Sequence, residues 1–461
     1  MCLMVRVQRL FDDFPELPVE PEVLARVPRG LALGHDVLSV ASDNNHLTVA
    51  IPDVTDTDLI DRVRLATGMH VHAVMAPREA IRQRLALAYG LPDEAPAIRE
   101  LDAIHRRALK YGASDVHIEP TLAGGRVRER VDGVLREVSR VGPELYAPLV
   151  SRIKVLAGID IAERRQPQDG RYSLDDATGS ADVRVSSVPT MSGEKLVLRF
   201  LNQHAAIPRL EHLGMNSRLL ARYRSVVTAA HGFIVACGPT GSGKTTTLYA
   251  SLAERNVSAQ NLCSVEDPVE IRLAGVSQVQ INARAGVTFA AAVRSFLRQD
   301  PNVIMIGELR DGETATVGIA AALAGQLVLT TLHSTDAART FERLDELGVA
   351  RSSLAASLSA VLGQRLVRSL CVGCREVAQG GYRADGCEQC DGTGFRGRRA
   401  MFELLVVDDA IREAIARGDS GARIALLACA AGYEPLRSEG ARLVREGKTS
   451  PAELQRVLGS S

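Results

Sequence analysis

The chain has 461 residues, room for about three domains at roughly 150 residues each, and its 46% apolar content is ordinary for globular cores. Lys plus Arg and Asp plus Glu balance at 55 each, so no basic excess advertises a nucleic-acid or membrane surface. Aromatic residues make up 4% and tryptophan is absent, which leaves no basic–aromatic stripe for stacking bases.

The opening Met1-Cys2-Leu3-Met4-Val5-Arg6-Val7-Gln8-Arg9 has no uninterrupted apolar run with a cleavage site after it, so no export signal is expected. Residues 1–90 read as a small α/β module. Val37-Leu38-Ser39-Val40 and Leu47-Thr48-Val49-Ala50-Ile51 are short strand candidates around the turn Ser42-Asp43-Asn44-Asn45. Residues 56–67 have helical periodicity, with acids early and arginines late. Leu91-Pro92-Asp93-Glu94-Ala95-Pro96 reads as a linker. A second unit opens on a helical stretch from Ile98 through Lys110. Strand-like runs follow at Asp115-Val116-His117-Ile118-Glu119 and Asp182-Val183-Arg184-Val185-Ser186. The pattern loosens over residues 201–213 before a third unit begins.

That third unit carries the chemistry. Phe233-Ile234-Val235-Ala236-Cys237 is a buried-strand candidate, and it leads into Gly238-Pro239-Thr240-Gly241-Ser242-Gly243-Lys244-Thr245. This fits the phosphate-loop pattern GxxxxGK[ST] completely, and a helical stretch with Leu248, Tyr249 and Leu252 follows. Glycines let main-chain N–H groups wrap phosphates, and the helix N-terminus adds positive potential. Lys244 is expected to reach the β- and γ-phosphates of ATP, Thr245 to ligate Mg2+, and Thr246 to complete the nucleotide-binding stretch.

Two further apolar runs end in carboxylates. Leu262-Cys263-Ser264-Val265 leads to Glu266-Asp267-Pro268-Val269-Glu270, and Val303-Ile304-Met305-Ile306 leads to Gly307-Glu308-Leu309-Arg310-Asp311. Phosphoryl transfer to water needs a metal anchor and a carboxylate that orients the water. Glu308 is the expected water-positioning base, and Glu266 the second acid, acting through Mg2+ or its waters. Residues 317–332 are apolar but contain Gln326 and two threonines, and fall short of the ~20 apolar residues of a membrane span. They read as a buried helix followed by a core strand. His333 comes directly after that strand, a sensor position beside the γ-phosphate.

Of eight cysteines, four crowd into Cys371-Val372-Gly373-Cys374 and Cys387-Glu388-Gln389-Cys390. Paired CxxC knuckles at this spacing point to one tetrahedral Zn2+ with four thiolates, a closed structural site rather than a catalytic one. The scattered remainder fits a reducing compartment better than disulfides do.

The order of the phosphate loop, Glu266-Asp267-Pro268-Val269-Glu270, Leu297-Arg298-Gln299-Asp300-Pro301, Gly307-Glu308-Leu309-Arg310-Asp311 and Thr331-Leu332-His333-Ser334 resembles the secretion ATPase superfamily, whose blocks are named Walker A, Asp box, Walker B and His box. Gly112-Ala113-Ser114-Asp115-Val116-His117-Ile118-Glu119-Pro120, Pro167-Gln168-Asp169-Gly170-Arg171 and the 391–398 stretch extend the likeness to type II secretion assembly ATPases. Type IV pilus assembly ATPases share all of these motifs, and pilus extension is the alternative function. The resemblance implies an α/β fold with a RecA-like P-loop ATPase core (207–370). Before it stand an N-terminal partner-docking domain (1–90) and a second, PAS-like domain (98–203). A four-cysteine zinc insertion (371–397) and a helical C-terminal domain (398–461) follow the core.

The resemblance further implies a hexameric ring of cytoplasmic subunits. Its first domains would dock to the cytoplasmic region of an inner-membrane platform protein, with no nucleic acid and no direct membrane insertion. Arg184 and Arg199 would face the nucleotide from the second domain, and Arg294, Arg298 and Arg310 from the core; beside Asp311, Arg310 has the alternative role of holding its own loop. Relatives commonly carry Thr-Gly-His where this chain has Ala324-Gly325-Gln326, a departure expected to slow or alter turnover because glutamine cannot become cationic. A non-hydrolysing nucleotide scaffold is motivated by that departure alone. Retention of Lys244, Thr245, Glu266 and Glu308 argues against it.

Overall fold

The computed structural model describes residues 20–43, 45–89, 95–176, 179–201, 207–256, 258–378 and 381–459, and the chain divides into two compact units, 1–201 and 202–461. The opening stretch 1–9, Asn44 of the expected turn and residues 91–94 of the expected linker lie outside the described residues.

The first unit begins with β1 (Leu38–Asp43), β2 (His46–Ile51) and β3 (His70–Met75), with β2 antiparallel to β1 and parallel to β3. Parallel neighbours need a crossover, and helix Thr57–Thr67 supplies it. Asp56 caps that helix by accepting from the Leu59 N–H at 2.9 Å, and Gly68 ends it in the left-handed region. Leu47, Val49, Ile51 and Val63 are fully buried in this small core.

The rest of the unit is a six-stranded antiparallel sheet made of β4 (Ala113–Thr121), β5 (Gly124–Val131), β6 (Val134–Val141), β7 (Gln168–Asp176), β8 (Gly179–Thr190) and β9 (Gly193–Leu201), in the order β6-β5-β4-β9-β8-β7. The runs expected at 115–119 and 182–186 fall inside β4 and β8. Strand alternation sends Val116, Ile118, Val185 and Leu198 into a core with Leu101, Ile104, Leu149 and Ile153 of two covering helices. Arg184 and Arg199, directly opposite each other in register, take the other face.

The second unit is a doubly covered sheet. Its strands are β10 (Gly232–Cys237), β11 (Leu262–Glu266), β12 (Val276–Gln280), β13 (Val303–Ile306), β14 (Leu327–Leu332) and β15 (Leu358–Leu370). The small hairpin β16 (Arg375–Ala378) and β17 (Gly381–Ala384) comes next, then β18 (Phe395–Val406). The sheet order is β12-β11-β13-β14-β10-β15-β18, parallel except where β18 runs antiparallel to β15. Phe233, Val235 and Cys237 face one apolar cluster while Ile234 and Ala236 face the other, so β10 is buried on both sides.

The 317–332 segment is, as expected, a helix (Gly312–Leu323) followed by β14, and among the described residues no helix is long and apolar enough to cross a membrane. The boundary expected at 397/398 falls within β18. The cysteine segment is therefore an excursion between two paired strands of one sheet, and the four helices that follow, from Asp409–Arg417 to Pro451–Leu458, form the helical C-terminal region.

Candidate active site

Because β10, β11, β13 and β14 are parallel, their C-terminal ends share one edge of the sheet, where α/β proteins bind ligands. The phosphate loop leaves β10 at that edge and ends on helix Lys244–Arg255. Gly243 caps the helix at φ +89°, a conformation side chains resist, and a Cβ there would come within 2.7 Å of the Gln364 amide nitrogen. The cavity over the loop measures about 480 Å3, and Lys244, Thr245, Thr246, Glu266, Glu308 and His333 all line it. The sequence motifs therefore converge on one pocket.

Lys244 is buried, and its ammonium donates to the Gly238 and Pro239 carbonyls at 2.8 and 2.9 Å. Burial pulls its pKa down to about 8, with Arg365 adding in the same direction against Cys237 and Glu308. The Ser242 hydroxyl is buried with no hydrogen-bond partner among the described residues. Small loop glycines, a buried ammonium and an orphaned hydroxyl fit a triphosphate, and Thr245 beside two carboxylates fits a hard divalent cation.

Glu266 is 2% exposed at the end of β11 and held by three donors. Ser264 Oγ bonds it at 2.6 Å, Gln278 Nε2 at 3.0 Å, and the Tyr249 hydroxyl from the phosphate-loop helix closes the set. Such a clamped acid suits a fixed acceptor. Glu308 is freer, 24% exposed just beyond β13, with His333 Nε2 at 3.8 Å from its carboxylate. Burial lowers the His333 pKa and the Lys244 charge lowers it further, against the Glu308 carboxylate, so the ring is neutral at neutral pH.

The arginines divide. Arg310 pairs with Glu308 of its own loop and, at 2.9 Å, with Asp267, while Asp311 caps helix Gly312–Leu323 by accepting from the Thr314 N–H. Arg294 pairs with Glu313 at 2.8 Å, and Arg298 donates to the Arg294 carbonyl at 3.0 Å. Both lie exposed, outside the residues that line the pocket. In the first unit, Arg199 pairs with Asp115 at 2.9 Å, and Arg184 stands beside it on the same exposed face. Gln326 is not at the pocket either. It precedes β14 at the end opposite His333, where its carbonyl accepts from the Gly232 N–H at 3.1 Å. A histidine in that place would act away from this pocket, so the expected effect on turnover lacks a direct route within the chain.

Sequence reasoning missed Tyr249 as a partner of Glu266, along with Gln278, Gln364 and Arg365. Gln364 accepts from Thr247 Oγ1 at 2.8 Å across 117 residues of chain, a pairing no local pattern announces. Arg398, after the cysteines, also lines the cavity. The four cysteine sulfurs lie within 4.8 Å of one another, with Cys371–Cys387, Cys374–Cys390 and Cys387–Cys390 each at 3.8 Å. Bonds of ~2.3 Å to one tetrahedral ion require a sulfur spacing of about 3.8 Å, so the group could hold a metal ion. The Cys387 and Gly394 N–H groups donate to Cys390 Sγ at 3.1 and 3.2 Å, as partners outside a metal's ligand shell do.

The sequence matches the family described as "Type II/IV secretion system protein" over residues 91–456 and the "MshEN domain" over residues 9–95. It is 49% identical over 365 residues to the type II secretion system protein HxcR of Pseudomonas aeruginosa, covering 79% of this chain and 78% of that one. It is 36% identical over 502 residues to the type IV pilus assembly ATPase PilB of Myxococcus xanthus, covering 97% and 88%. Among solved structures, the ATPase DotB of Yersinia pseudotuberculosis shares the fold at a TM-score of 0.61 and 22% identity, over 77% of this chain and 93% of that one. The chain belongs to the type II/IV secretion system protein family.

Proposed function

We propose that this family member is the ATP-hydrolysing motor that powers pseudopilus assembly and protein export by a type II secretion system. The observation that carries this reading is the convergence of the phosphate loop, Glu266, Glu308 and His333 on one cavity. Residues 238–246 would bind the nucleotide, with Lys244 on the β- and γ-phosphates and Thr245 ligating Mg2+. The cation would neutralise charge on the phosphates. Glu308 would aim the attacking water, Glu266 would anchor the metal through its waters, and His333 would sense the γ-phosphate.

A loose transition state spreads charge over the γ-phosphate oxygens, and an arginine supplied there contributes about 10³ to 10⁵ in rate. Arg310 is the internal candidate. Arg184, Arg199, Arg294 and Arg298 would be delivered by domain movement or by a neighbouring subunit, which makes turnover depend on a ring, read here as a hexamer. Cys371, Cys374, Cys387 and Cys390 would hold structural Zn2+. Residues 1–90 would dock to the cytoplasmic region of an inner-membrane platform protein, recruiting a cytoplasmic enzyme to the membrane periphery.

Type IV pilus extension is the second reading, favoured by the match to PilB over nearly the whole chain. Two experiments test the proposal. Glu308→Gln should abolish hydrolysis while keeping ATP binding, and an unchanged rate would refute the site. Identification of the membrane protein that co-purifies with the full chain separates secretion from pilus assembly.

A further inference from the structure

β15 pairs in parallel with β10 as far as Gly363 opposite Cys237, so its next residues run alongside the phosphate loop instead of a strand. Gln364, 2% exposed, binds the helix after that loop through Thr247. A Cβ on Gly238 would stand 2.5 Å from the Gln364 carbonyl and 3.0 Å from Arg365 Nη1, so the loop's first residue is pressed directly onto this pair. The Arg365 guanidinium then forks. One nitrogen donates to the Gln364 carbonyl at 2.9 Å and the other to the Thr335 carbonyl. Thr335 lies two residues beyond His333, in the loop between β14 and helix Thr340–Glu346. Two residues further, the Ala337 N–H donates to Glu403 of β18 at 2.7 Å. The His333 loop is thus held at two points by the outer strands of the sheet, and one of those points also touches the phosphate loop.

We propose that Arg365 is a positioning residue that couples the phosphate loop to the loop carrying His333. When the loop at Gly238 settles on a polyphosphate, the guanidinium transmits that position to Thr335 and so fixes His333 relative to Glu308. Both acceptors are main-chain carbonyls rather than carboxylates, so the fork reports backbone position and not the state of an acid. A planar fork reaches two carbonyls at once, which a lysine ammonium on a flexible stem does poorly. The inference rests on the reading that residues 238–245 hold a nucleoside triphosphate.

Hydrogen exchange on the full chain, with and without a non-hydrolysable ATP analogue, tests it. In the wild type the analogue should protect amides in both 238–245 and 333–337. In Arg365→Gln, protection of 238–245 should persist and that of 333–337 be lost, while kcat falls about tenfold or more and KM stays within about threefold. Arg365→Lys, which keeps the charge and the stem, should lie between and carries the same test if the glutamine variant does not assemble. Equal protection of 333–337 in wild type and variant, or a kcat within about twofold of wild type, overturns the coupling. Failure of the analogue to protect 238–245 in the wild type would sink the nucleotide reading, and this inference with it.

Discussion

The hydroxyl of Tyr249 donates to the carboxylate of Glu266, joining the helix that leaves the phosphate loop to the end of β11. Burial raises the Tyr249 pKa and the Glu266 charge raises it further, so the phenol keeps its proton at any working pH and remains a donor. With Ser264 and Gln278 also donating, the Glu266 carboxylate is fixed in place by three donors. That rigidity favours Glu308, which among the described residues is held closely by Arg310 alone, in the proposed role of activating water.

Tyr249→Phe should leave Glu266 buried with one donor missing. Loss of a hydrogen bond to a buried charged group costs about 1–3 kcal/mol, and equilibrium urea unfolding of the variant should show a decrease of that size. Hydrolysis should slow while ATP affinity changes little, because Tyr249 does not line the nucleotide cavity. Unchanged stability would mean that the bond contributes nothing to holding the acid.

The parts of this site that could be read from the sequence are those written contiguously. The phosphate loop, Glu266 and Glu308 each follow a short apolar run, and the fold places the ends of β10, β11 and β13 on one edge. The supporting polar residues were invisible for the opposite reason. Gln364 and Arg365 sit inside a long strand and acquire meaning from Thr247 and Thr335, both distant in the chain. β18 was hidden because Phe395-Arg396-Gly397-Arg398-Arg399 is too charged to look like a sheet strand, although pairing with β15 makes it one. β3 was missed similarly, its alternation carried by histidines at positions 70 and 72. Arg294 and Arg298 could not be chosen by pattern, and within one chain Arg294 pairs with Glu313 while Arg298 donates to Ser295 Oγ and the Arg294 carbonyl on their own exposed surface.

The depressed pKa of Lys244 sets a pH limit. A lysine is cationic below its pKa, so the free enzyme should lose its phosphate-binding charge as pH rises through about 8. A bound triphosphate favours the ammonium and moves the transition upward. Rate profiles from about pH 6.5 to about 9.5 should therefore show kcat/KM for ATP declining above about 8 while kcat at saturating ATP holds to higher pH. A kcat/KM that stays flat to the alkaline end would mean that the ammonium keeps its proton despite burial.

If the four thiolates hold Zn2+ as proposed, removing it should loosen the excursion between β15 and β18 before it touches the nucleotide cavity. The 371–390 segment has little apolar core of its own, and binding of the proposed structural ion, of order ~10 kcal/mol, would stand in for one. Cys371→Ser should give a protein with less than one bound zinc per chain and a melting temperature lowered by roughly 5–10 °C, with ATP binding retained. Full-length wild type carrying no metal, measured by elemental analysis at equal stability, would leave the four thiols without that role.

Gln326 offers the sharpest test of where function lies along β14. Between it and His333 runs a six-residue strand, and at ~3.3 Å per residue the two ends stand roughly 20 Å apart. Its side-chain oxygen is buried without a hydrogen-bond partner among the described residues, so an imidazole there would gain little from its immediate surroundings. Within one chain that end of the strand bonds Gly232, Ala321 and, through Leu327, Asn302, each a full strand or helix away from the pocket. Gln326→His should accordingly leave kcat within about twofold of wild type when both are assayed at the same oligomeric state. A tenfold change at a fixed state would mean that this end of β14 meets a nucleotide site on another copy of the chain.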